Sequence, residues 1–255
     1  MKRLEGKTAI VTGASMGIGR AIARRLHSEG AALVLVSRGR EAGEQFAGEL
    51  GAEGGQEVRF LPGDVTDPVV ADRAVEEAAK LGGVDVLVNN AGLDLAQDFL
   101  DTDEDDARRI FETNVFGTLW MLRRVARELS DSARGGSIVN ISSRLASIGV
   151  PRMVVYGASK GAVSALTRGA AVELAPMGIR VNAVAPGMAA TPMFKTYIAE
   201  EADGEDTRRR VVAAIPQGRL AEPEDIAAAV AYLAADESAH ITGASIPIDG
   251  GYTAA

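Results

Sequence analysis

The 255-residue sequence contains no cysteine, and this absence excludes disulfide bonds, thiolate nucleophiles and cysteine-ligated metals. A chain without cysteine suits a reducing compartment, so we expect a cytoplasmic protein. Positive charge is scarce as well, because 35 acidic residues outnumber 27 lysines and arginines and leave a formal net charge of −8. This balance argues against nucleic acid or an anionic membrane as a partner.

Long hydrophobic segments and a signal peptide are also missing. The longest apolar runs, such as residues 227–235, have about half of the roughly 20 residues that a membrane helix needs, and residues 1–7 lack the apolar core of a signal peptide. The two histidines, His27 and His240, are too distant from the motifs below to indicate a metal site, and we expect both to be structural. With 47% hydrophobic residues, the composition is that of a soluble globular protein.

Short apolar segments alternate along the chain with helical patterns. Seven of them have strand character, namely residues 8–11, 32–36, 57–61, 84–88, 137–141, 179–184 and 244–248. Helix starts are indicated by Asp67 followed by Pro68, by the acidic residues 101–106, and by Pro223. The helix that starts at the acidic residues is expected to continue through Asn114 towards Leu129. The alternation continues without a linker or repeat, and it predicts one α/β domain over residues 1–255. We expect a doubly wound parallel sheet of about seven strands with helices on both faces.

Glycine-rich and polar segments follow these strands. The glycine turn, residues 12–19, joins the first strand to a helix and contains Gly13, Gly17 and Gly19. In such a turn, backbone N–H groups and a helix N-terminus can meet a diphosphate, although the spacing here differs from the common Gly-x-Gly-x-x-Gly fingerprint. Ligands of parallel sheets bind beyond the carboxyl ends of the strands, so we expect a single site at that edge.

Tyr156 and Lys160 are four residues apart, so on a helix their side chains lie on one face. An ammonium about 4 Å from a phenol, at an effective dielectric constant near 20, favours the phenolate by roughly 4 kcal/mol, or about 3 pKa units. Such a pair suits proton transfer near neutral pH. The alternative is an ordinary pair of neighbours on a surface helix, and the remaining motifs decide between the two.

Six motifs occur in a fixed order between about residue 7 and residue 251. They are the glycine turn, Asn89-Asn90-Ala91-Gly92, Asn114, Ser143, Tyr156 with Lys160, and Pro186-Gly187 followed by Thr191. Together they resemble the short-chain dehydrogenase/reductase family in its compact single-domain branch. The resemblance implies a Rossmann-type fold and an NAD(P)(H)-dependent oxidoreductase. Its reaction would be hydride transfer between nicotinamide and a carbonyl compound or secondary alcohol.

The resemblance implies roles for four catalytic residues. Tyr156 would protonate the carbonyl oxygen or remove the alcohol proton, and Ser143 would polarise that oxygen. Ser143 is preferred to Ser142 because the family's serine lies thirteen residues before its tyrosine. Lys160 would lower the pKa of the tyrosine and hold the nicotinamide ribose, and Asn114 would hold a water that links Lys160 to solvent.

The resemblance also implies a set of cofactor-binding residues. Asp64 and Val65 are expected at the adenine, Asn90 at the neighbouring ribose and Thr191 at the nicotinamide carboxamide. The full set is Gly13, Ser15, Met16, Gly17, Ile18, Gly19, Ser37, Arg38, Asp64, Val65, Asn90, Ala91, Gly92, Tyr156, Lys160, Pro186, Gly187 and Thr191.

The end of the second strand predicts the choice of cofactor. A site selective for NAD places a carboxylate there, but this strand ends in Ser37 and Arg38, with no acid before Glu41. Serine and arginine can bind a 2′-phosphate, so NADP(H) is favoured over NAD(H). The alternative is a solvent-exposed arginine, and Met16 stands where NADP-preferring relatives often have a second basic residue.

The expected substrate pocket is mostly apolar, which favours a hydrophobic small-molecule carbonyl compound. Its predicted residues are Ser143, Leu145, Val150, Tyr156, Met188, Met193 and Phe194, with Leu93, Asp94, Leu95, Arg144 and Met153 also nearby. Residues 188–210 have no strand pattern and are predicted to be a substrate lid within the domain. The family resemblance further implies a homotetramer, with contacts through the helices that follow Glu104 and Tyr156 and through the C-terminal strand at residues 246–248.

Two other functions remain open. A 3-oxoacyl-[acyl-carrier-protein] reductase often has a basic residue before the glycine that leads into the sixth strand, whereas here Met177 precedes Gly178. The cluster Arg123, Arg124 and Arg127 could supply positive charge instead. A redox-sensing dinucleotide-binding regulator is the other alternative, but such proteins usually lose the catalytic tyrosine or lysine.

Overall fold

The computed structural model describes residues 2–200 and 203–255, without the side chains of Met193, Lys195, Tyr197 and Glu200. Within these residues one seven-stranded parallel sheet has the strand order β3-β2-β1-β4-β5-β6-β7. The strands are β1 (Thr8–Thr12), β2 (Ala32–Ser37), β3 (Val58–Pro62), β4 (Val86–Asn89), β5 (Gly136–Ile141), β6 (Ile179–Pro186) and β7 (Ser245–Ile248). The predicted fold class is confirmed, and every predicted strand is present.

Helices cover both faces of the sheet. They are α1 (Gly17–Ser28), α2 (Arg40–Ala52), α3 (Pro68–Ala79), α4 (Glu104–Phe111), α5 (Thr118–Asp131), α6 (Val154–Leu174), α7 (Pro192–Glu200), α8 (Gly204–Ala213) and α9 (Pro223–Ala234). The apolar faces of α1, α2 and α9 pack on one side of the sheet, and those of α3, α5 and α6 on the other. None of the described helices has the length and apolar character needed to cross a membrane.

Alternate residues of each central strand enter opposite cores. In β1, Ala9 and Val11 belong to the core beneath α1, whereas Ile10 belongs to the core beneath α3. Because successive strand side chains point to opposite faces, a strand covered on both sides needs apolar residues at every position. This is why β1 and β2 are continuous apolar segments and are buried along their whole length.

Helix starts follow the predicted caps. The Asp67 carboxylate accepts a hydrogen bond from the Val69 N–H at 3.0 Å, with Pro68 at the first helical position. Asp103 caps α4 in the same way, accepting from the N–H groups of Asp105 and Asp106 at 2.9 and 3.2 Å. The acidic residues 101–106 therefore mark a helix N-terminus, as predicted.

The helix expected to continue through Asn114 is interrupted. Residues Glu112–Gly117 form a π-helical turn between α4 and α5. Asn114 lies in this turn, where its side chain hydrogen-bonds the backbone of Leu93 in a separate loop. A contact with a loop about twenty residues earlier leaves no periodic signal in the local sequence, so the pattern predicted a regular helix.

Candidate active site

The chain order of the sheet reverses between β1 and β4, and this crevice is where a doubly wound sheet binds its ligand. The glycine turn follows β1, and Asn90 to Gly92 follow β4. The predicted catalytic groups lie along the same edge, at the end of β5 and on α6. The sheet therefore brings the separate motifs to one place.

The backbone of the glycine turn is closely packed. A Cβ atom on Gly13 would lie 2.8 Å from Asn90 Nδ2, and one on Gly19 would overlap the Gly13 carbonyl oxygen. Only glycine fits at either position, and Gly13 also has a positive φ of 62°. Met16 gives α1 no side-chain cap, so the first N–H groups of the helix remain available to an anion. Ser15 and Ile18 are partly buried beside them.

Asn90 holds the glycine turn in place. Its amide nitrogen donates to the carbonyl oxygens of Thr12 and Gly13 at 3.0 and 3.1 Å. In return, the Thr12 hydroxyl accepts from the backbone N–H groups of Asn90 and Ala91, both at 3.0 Å. The hydrogen bonds of the Thr12 hydroxyl and of the Asn90 amide were not predicted. They join β1 to β4, and a short sequence motif does not reveal contacts between separate strands. The predicted contact of Asn90 with ribose stays a prediction.

The end of β2 offers polar groups to the adenosine half of a dinucleotide. The Ser37 hydroxyl is buried and has no hydrogen-bond partner among the described residues. Arg38 is exposed, and its Nη1 lies 3.8 Å from Asp64 Oδ2, while the other oxygen of Asp64 accepts from Thr66. Val65 is buried, so a ligand would reach its backbone. The orphaned hydroxyl and the crowded glycine turn together fit a dinucleotide.

Three of the predicted catalytic side chains meet where β5 faces the start of α6. Ser143 forms a side-chain hydrogen bond with Tyr156. Lys160 Nζ lies 5.7 Å from the centre of the Tyr156 ring and donates to the Ile141 carbonyl oxygen at 2.9 Å. The tyrosine and lysine are one helical turn apart on α6, and β5 supplies the serine.

Burial dominates the titration of this cluster. It raises the pKa of Tyr156 to about 12. The hydrogen bond with Ser143 lowers this pKa, and the negative charge of Asp94 raises it further, but both effects are smaller than that of burial. Burial also lowers the pKa of Lys160 to about 8. In the free protein the pKa of Tyr156 thus shifts in the direction opposite to the one expected from the spacing, because loss of hydration outweighs the lowering by Ser143.

The two neighbouring serines have different environments. The Ser142 hydroxyl is buried against α6, where it donates to the Lys160 carbonyl oxygen at 3.2 Å and lies 2.7 Å from the Ser164 hydroxyl. The Ser143 hydroxyl accepts from the Leu145 N–H at 3.2 Å and contacts Tyr156. The geometry therefore supports Ser143 as the active-site serine and gives Ser142 a structural role.

Asn114 is buried next to this cluster. Its amide nitrogen donates to the Leu93 carbonyl oxygen at 2.9 Å and to the Ser159 hydroxyl at 3.0 Å. A Cβ atom on Gly92 would lie 3.2 Å from Asn114 Oδ1 and 3.5 Å from Lys160 Nζ, so the glycine keeps these groups close together. Ser159 was not predicted, and its only signal is its position between Tyr156 and Lys160. The water relay through Asn114 stays a prediction.

The predicted nicotinamide contacts follow β6. Pro186 ends the strand, and the Gly187 N–H donates to the Ile248 carbonyl oxygen at 2.9 Å. Thr191 is buried at the start of α7, and a Cβ atom on Gly17 would lie 3.9 Å from its side chain. The segment after β6 therefore reaches back to the glycine turn.

The predicted substrate residues come from two segments. Leu145 and Val150 are partly buried in the loop between β5 and α6. Met188 follows β6 and packs against a small apolar cluster formed by the buried Phe194, Ile215 and Leu220, which we call the lid cluster because Phe194 belongs to the predicted lid. Met193 was also predicted, but its side chain lies outside the described residues.

A glycine turn that can bind a dinucleotide and a cluster of Ser143, Tyr156 and Lys160 that can transfer a proton lie on one edge of the sheet. A nicotinamide-dependent oxidoreductase requires this combination. A family model described as enoyl-(acyl carrier protein) reductase matches residues 13–253. The chain belongs to the short-chain dehydrogenase/reductase family, as its motifs predict.

Similar proteins cover the whole chain. The cyclopentanol dehydrogenase of Comamonas testosteroni is 38% identical over 255 residues, which is 100% of both chains. The NADP-dependent (R)-specific alcohol dehydrogenase of Lentilactobacillus kefiri is 37% identical and covers 99% of this chain and 98% of its own. The crystal structure of a putative short-chain alcohol dehydrogenase from Sinorhizobium meliloti has a TM-score of 0.92 and 37% identity, covering 99% of this chain and 98% of that one.

Proposed function

We propose that the protein transfers a hydride between NADP(H) and a ketone or its matching secondary alcohol, with Tyr156 as general acid and base. The observation that carries this proposal is the contact of Ser143 with Tyr156 one helical turn from Lys160. Bound nicotinamide would supply or accept the hydride. The protein would hold the reacting oxygen and move the proton.

Each member of the cluster has a distinct task in this proposal. The Ser143 hydroxyl donates a hydrogen bond to the carbonyl oxygen as negative charge develops there. The Tyr156 phenol donates the proton to that oxygen, and in the oxidative direction the phenolate removes it. Lys160 keeps further N–H donors beyond the one that binds Ile141, and these hold the nicotinamide ribose.

The rate of ketone reduction should fall as pH rises through about 8. The pKa of Lys160 is lowered to about 8 by burial, so its ammonium is charged below that pH and neutral above it. The pKa of Tyr156 is raised to about 12, so the phenol stays protonated over this range and can still donate. Loss of the ammonium therefore controls the profile. A kcat/KM that stays flat up to pH 10 would contradict this assignment.

Arg38 is the proposed selector of NADP(H). The unpartnered Ser37 hydroxyl beside it supports this role, and the exposed pair of Arg38 with Asp64, 3.8 Å apart, is weak enough to yield to a phosphate. A hydrogen bond to a charged group contributes roughly 1.5–3 kcal/mol, or about a tenfold to hundredfold preference. The relative from Lentilactobacillus kefiri is named as NADP-dependent.

Replacing Arg38 with alanine should weaken NADPH binding by about tenfold to hundredfold and leave NADH nearly unchanged. Arg40→Ala is the matched control, because Arg40 is equally exposed and only two residues away, where it pairs with Glu44. Titration of both cofactors against the three proteins gives the comparison. Equal weakening of NADPH and NADH, or a wild-type preference for NADH, would reject Arg38 as the selector.

The reaction can be tested with a panel of substrates. NADPH oxidation is followed with ketones and aldehydes of increasing size, a carrier-protein thioester and its small-molecule mimic, and the reverse reaction with the matching alcohols. We expect turnover of ketones at rates well above that of the thioester. Absence of turnover in both directions would contradict the proposed activity, and a clear preference for the carrier-protein thioester would favour the reductase of fatty-acid synthesis.

Three further features belong to this proposal. Residues 188–210 act as a substrate lid within the single domain, which is supported by the separate apolar cluster beneath α7 and α8.

The protein assembles as a homotetramer, which is supported by exposed apolar residues on its helices, such as Phe116 and Val172. Its location is cytoplasmic, in keeping with a chain that contains no cysteine.

A further inference from the structure

Arg144 is a buried cation to which the proposed reaction assigns no task. Only 8% of the residue is exposed, although it directly follows the catalytic Ser143. Its Nε and Nη1 atoms are buried and find no hydrogen-bond acceptor, and it forms no ion pair within residues 2–200 and 203–255. Buried guanidinium groups are nearly always paired, because an arginine cannot lose its charge. The free protein thus contains a donor group without an acceptor.

The position of this guanidinium is fixed by the fold. The carbonyl oxygen of Arg144 accepts hydrogen bonds from the N–H groups of Ser147 and Ile148 at 3.0 and 3.3 Å, which anchors its backbone in a short helical turn. Its Cζ atom lies 3.9 Å from the centre of the Tyr252 ring. Stacking on the ring face is favourable, but it leaves the N–H groups at the edge of the guanidinium plane unsatisfied.

The location of Arg144 separates it from the cofactor-binding residues. The groups that fit the adenosine half follow β2, and those that fit the diphosphate follow β1. Arg144 instead follows β5, and its guanidinium stacks on Tyr252. Tyr252 comes after β7, which forms the edge of the sheet opposite to β3. Tyr252 packs against the lid cluster together with Met188, which is a predicted substrate contact. A ligand of Arg144 would therefore lie on the substrate side of the site.

We propose that Arg144 binds a carboxylate carried by the substrate, so that the preferred substrate is an oxo acid or hydroxy acid. The planar guanidinium matches a carboxylate in charge and geometry. A bound carboxylate would accept hydrogen bonds from the Nε and Nη1 atoms of Arg144, which have no acceptor among the described residues. The reacting carbonyl would lie at Ser143 and Tyr156, with the apolar residues Leu145 and Met188 around the carbon chain. This inference rests on the proposed function and revises the expectation of a wholly hydrophobic substrate.

Matched pairs of ligands test the proposal. The acids 3-oxobutanoate, 4-oxopentanoate and 5-oxohexanoate are each compared with their neutral carboxamides, by calorimetric titration of cofactor-saturated protein and by kcat/KM. We expect at least one acid to bind at least about tenfold more tightly than its amide, as a charged pair replaces a neutral one. Acids that bind no better than their amides at every chain length would overturn the proposal.

Three variants locate the effect. Arg144→Met should bring the affinity for the acid to within about twofold of that for the amide, and Arg144→Lys should keep part of the preference because the charge remains. Arg152→Met is the control, since this exposed arginine lies in the same loop and pairs with Asp98 at 3.6 Å. The control should keep the full preference. An equal loss in Arg152→Met would show general attraction of anions and would overturn the role of Arg144.

Two further measurements distinguish carboxylate binding from a purely structural role of Arg144. Without ligand, Arg144→Met should melt at the same temperature as the wild type or higher, because it removes an unpaired buried charge. A lower melting temperature together with an unchanged acid preference would make Arg144 purely structural. Acetate should compete with the oxo acid, and an acetate site that does not compete would overturn the substrate assignment. Turnover of the neutral amides by every variant tests the proposed oxidoreductase activity independently.

Discussion

Replacing Tyr156 with phenylalanine is expected to lower turnover by roughly 10²–10⁴-fold, which is the usual contribution of a general acid. The substitution removes only the hydroxyl that hydrogen-bonds Ser143, and the ring that faces Lys160 remains. The fold and the affinity for cofactor should therefore stay close to those of the wild type. Steady-state rates in both directions, with cofactor affinity measured by titration, give the comparison.

The matched control is Tyr232→Phe. Tyr232 lies on α9, is 37% exposed, and is remote from the cluster on β5 and α6. Loss of its hydroxyl should leave the rates within about twofold, since surface substitutions of this kind have small effects. A Tyr156→Phe variant that keeps a near-normal rate on any good substrate would show that another group supplies the proton.

Replacing Ser143 with alanine is expected to lower kcat by roughly 10²–10³-fold, as does the loss of a single donor to a developing oxyanion. The hydroxyl contacts Tyr156 and is held by the Leu145 N–H, so it is positioned before substrate arrives. Because the interaction strengthens in the transition state, the effect should fall mainly on kcat and only weakly on KM.

Ser142→Ala provides the contrast at the adjacent position. The Ser142 hydroxyl bonds the Lys160 carbonyl oxygen and Ser164 inside the protein, so its loss should cost about 1–3 kcal/mol of the free energy of unfolding. At a temperature where the variant is folded, its kcat should remain much nearer to the wild-type value than that of Ser143→Ala. Denaturant unfolding together with kinetics separates the two effects. Equal losses of kcat in both variants would refute the distinction between the serines.

The local patterns of the sequence predict most of the fold and the outline of the site. Strands buried on both faces leave continuous apolar segments, and the starts of α3 and α9 leave local signals, namely the capping residue Asp67 and the prolines Pro68 and Pro223 at the first helical positions. The order of the motifs places Ser143 and Tyr156 at one sheet edge, and the structure brings them into contact. Each of these features depends on residues that are close together in the chain or on the repeating rules of parallel sheets.

Features that depend on contacts between residues far apart in the sequence were not predicted. The π-helical turn around Asn114 is tied to Leu93, and the amide of Asn90 is used by the glycine turn on another strand. The net direction of the Tyr156 pKa depends on burial, which spacing alone does not reveal. The same holds for Arg144, which resembles an ordinary loop cation until its stacking on Tyr252 is known.

The lid cluster has a consequence for how the protein unfolds. Its buried members Phe194, Ile215 and Leu220 belong to neither of the two cores that hold the sheet. A separate small cluster can open as a cooperative unit at a lower free energy than global unfolding. We therefore expect this cluster, and with it the predicted substrate side of the site, to open in mild denaturant or heat before the glycine turn between β1 and β4, which lies with the main cores.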